Sequence, residues 1–194
     1  MKNAKPLQFS LVFLFYGLIA LITMLWDWIS RGSALFAWQE AQTGRLVYWV
    51  LGAFFVIFYV VITEVIAHYT DWAKQLYSLL RQLLTPMSYF QIIVVALVSG
   101  FIEEWFFRGL LLSHFGVILS SIIFALCHLI LSDRLWVWSI WSFFMGIVFC
   151  LFLKASDSLL LVSMMHAGMN GIVIWLLNLR AHDHASLASS TSLE

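Results

Sequence analysis

Long apolar runs dominate the chain, separated by short polar stretches. A helix needs about 20 mainly apolar residues to cross the hydrocarbon core of a bilayer. Six runs meet or approach that length, roughly residues 8–29, 46–67, 89–112, 115–132, 135–153 and 158–178. The pattern predicts an all-α polytopic membrane bundle of about six transmembrane helices. The stretch between the second and third runs has a different rhythm. Trp72, Leu76, Leu79, Leu80, Leu83 and Leu84 recur at spacings of three and four, and Lys74 and Arg81 mark the other side. That periodicity predicts an amphipathic helix lying on the membrane surface. Thr85-Pro86 then reads as the cap and first-turn proline of the third span.

Composition narrows the class. The chain is 63% hydrophobic and 10% charged, where a soluble domain carries about 25% charged residues. Its mean hydropathy is +0.96. A water-soluble fold is excluded on these grounds. Lys plus Arg and Asp plus Glu each number 10, so the net charge is zero and nothing points to nucleic acid. With six spans and the N-terminus inside, Lys2, Lys5, Lys74, Arg81, Arg134 and Arg180 fall on one side, and Arg31, Arg45 and Lys154 on the other. The excess predicts cytoplasmic termini. Lys2 and Lys5 precede a long apolar run with no Ala-x-Ala site, so the first helix reads as uncleaved. The chain reads as one integral membrane domain, residues 1–180. The polar tail 181–194 is expected to be disordered, with Leu193-Glu194 as a cloning remnant and His182 and His184 solvated. Cys127 and Cys150 lie in apolar runs and read as small buried hydrophobes. A Cys127–His128 dyad is poor geometry, because helical neighbours point about 100° apart.

The chemistry concentrates in three runs. Residues 92–112 read IIVVALVSGFIEEWFFRGLLL, which places Glu103, Glu104 and Arg108 in an apolar span. A charge at mid-bilayer costs roughly 2.5–3.5 kcal/mol on insertion scales, so such a cluster is a functional-site hypothesis by default. Glu104 and Arg108, four apart, share a helix face and can pair. Glu103 points about 100° away and is free for another task. His128 sits in the fourth run, one turn after Phe124, and His166 and Asn170 share a face in the sixth. Gly100, Gly109, Gly168 and Gly171 thin the helices beside these groups. A bland reading exists for each: an ion pair that locks helices, or interhelical hydrogen-bonding glue. As a set they describe more. A carboxylate and a neutral imidazole can share a water and take its proton. A second imidazole and an amide can donate to a developing oxyanion. That is water attack on a carbonyl without a covalent intermediate.

At these residues the chain resembles the type II CAAX prenyl endopeptidase family, also called the CPBP or Abi family of intramembrane proteases. The likeness rests on Glu103-Glu104-xxx-Arg108, Phe124-xxx-His128 and His166-xxx-Asn170, in the family's order, over roughly residues 90–175. The resemblance implies a glutamate-type protease without a cofactor. Glu103 and His128 would activate water, Glu104 and Arg108 would support the site, and His166 and Asn170 would form the oxyanion hole. It implies a peptide or protein substrate with a membrane-embedded, lipidated or sorting-tail C-terminal segment. With about six spans rather than eight, the chain is similar to small prokaryotic members, which implies the inner membrane.

Other readings use the same residues. Glu103, Glu104, His128 and His166 are possible zinc ligands of a metalloprotease, although no HExxH is present. Buried Glu, His and Arg also serve proton-coupled transporters or membrane binding proteins, although no inverted repeat is visible. Glu64 and His68 form a further i, i+4 polar pair at the end of the second run, read as an interfacial pair ahead of a metal or proton site. Ser99, Ser113, Ser120 and Ser121 lack a GxSxG turn and read as packing residues.

Overall fold

The structure, a computed structural model, describes residues 9–31, 46–130 and 135–191. Lys2, Lys5, Arg45, Arg134 and Leu193-Glu194 lie outside these residues. Every regular element among them is helical: α1 (Phe9–Arg31), α2 (Leu46–Tyr69), α3 (Asp71–Leu84), α4 (Tyr89–Glu104), a π-helical turn (Trp105–Leu111), α5 (Leu112–Cys127), α6 (Val137–Ser156) and α7 (Leu159–Thr191). The chain folds as an all-α polytopic bundle.

Among the described residues five helical runs, not six, are long and apolar enough to cross a membrane, and the third and fourth predicted spans join in one 39-residue run, Tyr89–Cys127. The run is continuous in sequence but not straight. Gly116 has φ 73° and ψ 179°, a conformation closed to most side chains. The chain reverses there, bringing Phe124 back onto Phe107 with ring centroids 4.9 Å apart. Residues 117–127 then rise only about 16 Å, half the hydrocarbon thickness. The last of them is followed by His128, which ends the helix at φ −102° and ψ 10°. A side chain predicted on a helix wall thus sits at a helix end inside the bundle.

α3 is the amphipathic helix expected from its periodicity, with Ala73 and Leu76 buried and Lys74 exposed. The start of α4 differs from the sequence reading. Ser88, not Thr85, is the cap, and its hydroxyl accepts from Gln91 N while Gln91 Oε1 accepts from Ser88 N. This capping box satisfies two backbone donors at once. Pro86 therefore lies in the lead-in, after a cis peptide bond.

α7 is the central helix. Half of its apolar window is buried, against 11% in α1 and in α2, whose outer faces meet lipid instead. α4 and α7 cross where side chains are smallest. A Cβ on Gly100 would stand 2.6 Å from Ala167 N, and one on Gly171 3.3 Å from Ala96 Cβ. Backbones this close need small residues on both helices. The approach sets Glu103 and Glu104, one turn beyond Gly100, beside His166. The start of α1, α3, the start of α4 and the ends of α2 and α7 gather at one membrane face. Phe9, Leu84 and Met87 pack there, Asn178 Oδ1 accepts from Met87 N, and Arg180 pairs with Glu64.

Candidate active site

Glu103 and Glu104 close α4, and the helix widens directly after them. Leu112 N donates to Phe107 O, an i→i+5 bond. Such π turns recur at functional sites because they re-aim side chains within a continuous helix. Here Trp105, Phe107, Arg108, Leu110 and Leu111 all turn inward.

Glu104 is fully buried and is the anchor of an ionic group. Its Oε1 accepts from Arg108 Nη1 at 2.8 Å and from His166 Nδ1 at 2.7 Å. Arg108 is itself buried and also donates to Gly146 O at 3.4 Å. Its guanidinium lies 4.4 Å from the Phe124 ring centroid and 5.0 Å from that of Phe149. Aromatic faces are favourable neighbours for a cation deprived of water. Phe149 also stacks on His166 at 5.2 Å. The hydrogen on His166 Nδ1 belongs to the bond with the Glu104 carboxylate, which leaves Nε2 as the inward-facing nitrogen.

Glu103 has a different surrounding. Its Oε1 accepts from the Tyr16 hydroxyl at 2.7 Å. Its Oε2 makes no hydrogen bond to the described residues. Two imidazole nitrogens flank that oxygen, His128 Nε2 at 4.0 Å and His166 Nε2 at 3.9 Å. His128 is oriented from behind, since its Nδ1 donates to Phe124 O at 2.8 Å and its ring lies 4.4 Å from the Phe124 ring. Its neutral form then presents a lone pair on Nε2 toward Glu103. Glu103 and His128 also keep some exposure, 12% and 24%, where Glu104 has none.

Asn170 shares the α7 face with His166 but reaches a different partner. Its Nδ2 donates to Ser99 Oγ at 2.9 Å, which engages one of two amide hydrogens. Ser99 lies one turn before Glu103 on α4. Tyr16, Ser99 and Asn170 form the polar end of a cavity of about 450 Å³, whose remaining wall is mainly apolar, including Val12, Val95, Val173 and Ile174. Trp138 lines the same cavity and touches the His128 ring edge-on at 6.1 Å.

All six residues singled out from the sequence therefore lie on α4, the π turn, the end of α5 and α7, around one locus. Two participants had no sequence signal. Tyr16 looks like any tyrosine in an apolar run, and Phe149 like any core aromatic. Of the other candidates, Glu64 pairs with Arg180 rather than His68. Ser120 meets Cys150 Sγ at 3.7 Å in the core. Among the described residues no three His, Cys, Asp or Glu side chains converge as a metal-ligand set.

No curated protein and no solved structure matches the chain. The family model of the Rce1-like type II CAAX prenyl endopeptidases matches residues 85–172, from the lead-in of α4 to the middle of α7, and so includes all six residues singled out from the sequence but not Tyr16. With five helical runs among the described residues long and apolar enough to cross a bilayer, three of them in this stretch, the chain is an integral membrane protein. The stretch that carries the site is similar to the Rce1-like family, the type II CAAX prenyl endopeptidases.

Proposed function

We propose that Glu103 and His128 activate a water molecule for direct attack on a peptide carbonyl, making this a glutamate-type intramembrane endopeptidase. The observation that carries the reading is the surrounding of Glu103 Oε2. Two hydrogen bonds of about 2.8 Å meeting at about 90–110° on one water span about 4–4.6 Å between their far ends. Separations of 4.0 and 3.9 Å to the two Nε2 atoms suit a shared oxygen, not direct contact. The water gives one hydrogen to the carboxylate and one to the His128 lone pair. As its oxygen bonds to the carbonyl carbon, Glu103 takes the proton and later returns it to the leaving amine. Tyr16 holds the other carboxylate oxygen and fixes the plane of the base.

His166 and the second amide hydrogen of Asn170 are the donors for the oxyanion. In that role His166 carries a hydrogen on each ring nitrogen, Nδ1–H to Glu104 and Nε2–H to the oxyanion. Glu104 and Arg108 act by positioning His166 and by balancing charge.

The substrate reading rests on the cavity. Its apolar wall ends at Tyr16, Ser99 and Asn170, so an apolar or lipid-modified tail lying in it delivers the adjoining peptide bond to the polar end. The excess of Lys74, Arg81 and Arg180 at the α3 face supports cytoplasmic termini in a prokaryotic inner membrane. The test is mass spectrometry of a membrane-anchored candidate tail incubated with purified protein in detergent. A single new C-terminus, lost in Glu103→Gln and His128→Ala and unaffected by a chelator, is expected. Cleavage at the wild-type rate by either variant overturns the mechanism. Loss of cleavage to chelator favours the zinc reading.

A further inference from the structure

A second cavity, of about 300 Å³, lies at the membrane face where α2, α3 and α7 end. Leu177 lines both this cavity and the apolar one; none of the six sequence-predicted site residues lines this cavity, and of them only Asn170 lines the apolar one. Its polar lining comes from Glu64 and His68 on α2, Lys74, Tyr77 and Arg81 on α3, and Arg180 on α7. Three fixed cations face one carboxylate there, and that carboxylate is already paired with Arg180. Lys74 and Arg81 make no ion pair among the described residues. Tyr77 OH and Glu64 Oε1 are buried near one another, with Thr63 beside Tyr77, and neither completes a well-formed hydrogen bond within the described residues. Burial is the main cause that pushes the Tyr77 phenol up, so it stays a hydroxyl donor at neutral pH. The arrangement therefore offers two cations and a hydroxyl to an anion, and one carboxylate oxygen to a hydroxyl or amine beside it.

Position selects among anions. The helix turns that supply Glu64, His68 and Arg180 to the cavity also carry the exposed apolar side chains of Val61 and Val65 on α2 and Leu179 on α7. α3 lies at the headgroup level with its basic side toward the cavity. We propose that this cavity binds the phosphodiester headgroup of an anionic glycerophospholipid, whose acyl chains run along α2 and α7. Lys74 and Arg81 hold the phosphate, Tyr77 donates to a third oxygen, and Glu64 accepts from a headgroup hydroxyl. The site is independent of the peptidase chemistry and ties α3 to the two helices that flank it.

The test uses the full chain, delipidated in detergent, with binding read by native mass spectrometry and by thermal unfolding. The probes are phosphatidylglycerol, phosphatidylcholine, glycerol 3-phosphate and inorganic phosphate. Phosphatidylglycerol is expected to bind and raise the unfolding temperature, phosphatidylcholine less so, and the two soluble phosphates not at all. Lys74→Gln with Arg81→Gln should weaken phosphatidylglycerol binding at least roughly tenfold, while Lys154→Gln at the opposite face should not. Should the double variant fold poorly, Tyr77→Phe serves as the second reading, with roughly threefold weaker binding from one lost hydrogen bond. Unchanged lipid binding in these variants overturns the proposal. Equal protection by inorganic phosphate overturns it in favour of a free-anion site. A raised KM for peptide in the double variant, with lipid binding intact, overturns it in favour of the substrate's own carboxylate.

Discussion

Adjacent carboxylates with opposite duties make a sharp test at the scale of single residues. Glu104 compensates Arg108 inside a cage of Phe107, Phe124 and Phe149. Glu104→Gln leaves that guanidinium charged and unpaired, at a cost of about 3–5 kcal/mol. A fall in unfolding temperature large enough to reduce the yield of folded protein is expected. Glu103→Gln keeps an oxygen for Tyr16 and removes no ion pair within 3.5 Å, so stability should move by no more than about 1 kcal/mol, while turnover falls to background. Side-by-side thermal unfolding and cleavage assays separate the two. Tyr16→Phe belongs to the same set: loss of the 2.7 Å bond frees the Glu103 carboxylate to rotate, with kcat lowered by up to about 10²-fold and little change in KM. Tyr16 also marks what the sequence conceals. Glu103, Glu104 and Arg108 announce themselves because charge is costly in lipid, and His166 with Asn170 because polar groups one turn apart stand out. A tyrosine 87 positions from its partner carries no such cost, and helix periodicity does not say which helix lies against which.

At the scale of elements, glycines decide where the helices go. Gly100 is the contact point of α4 with α7. A Cβ there meets backbone atoms of Ala167 at 2.6 and 2.8 Å, so Gly100→Ala forces the helices apart at about 1–3 kcal/mol. The same shift pulls Glu103 and Glu104 from His166, and both unfolding temperature and turnover should drop. Gly17 on α1 has nothing within 4 Å of a built Cβ, so Gly17→Ala should leave both unchanged and serves as the control. Gly116 also has open space, but its φ of 73° makes Gly116→Ala costly through the backbone, by about 1–2 kcal/mol. The apolar runs themselves were legible, since composition and length suffice to mark a span. The reversal at Gly116 was not. Hydropathy has no sign for direction, so residues 115–132 read as a full crossing although only 117–127 remain helical after the turn. The π turn was equally hidden, because WFFRGLL differs from an α-helical segment only in how its hydrogen bonds close.

At the scale of the whole molecule, the two cavities lie on the side of the bundle where α3 rests, and that side sets how a substrate enters. The apolar cavity is bounded by Leu80 and Leu84 of α3 at one end and by Tyr16, Ser99 and Asn170 at the other. An apolar tail entering from the α3 face fills the first part before its peptide bond reaches the second. Tail length should therefore matter to binding more than to chemistry. Val173 lines the middle of this path and is only partly buried, so a larger side chain there narrows the cavity without opening a void elsewhere. Val173→Phe is expected to lower kcat/KM about tenfold for a substrate with a long apolar tail, chiefly through KM. A substrate truncated to the residues around the scissile bond should be cut at the wild-type rate. Equal losses for both substrates would mean that the substitution disturbs His166 and Asn170 on the same helix, and that the tail lies elsewhere. A loss confined to the long tail would fix the direction of entry, from the interfacial helix inward to Glu103.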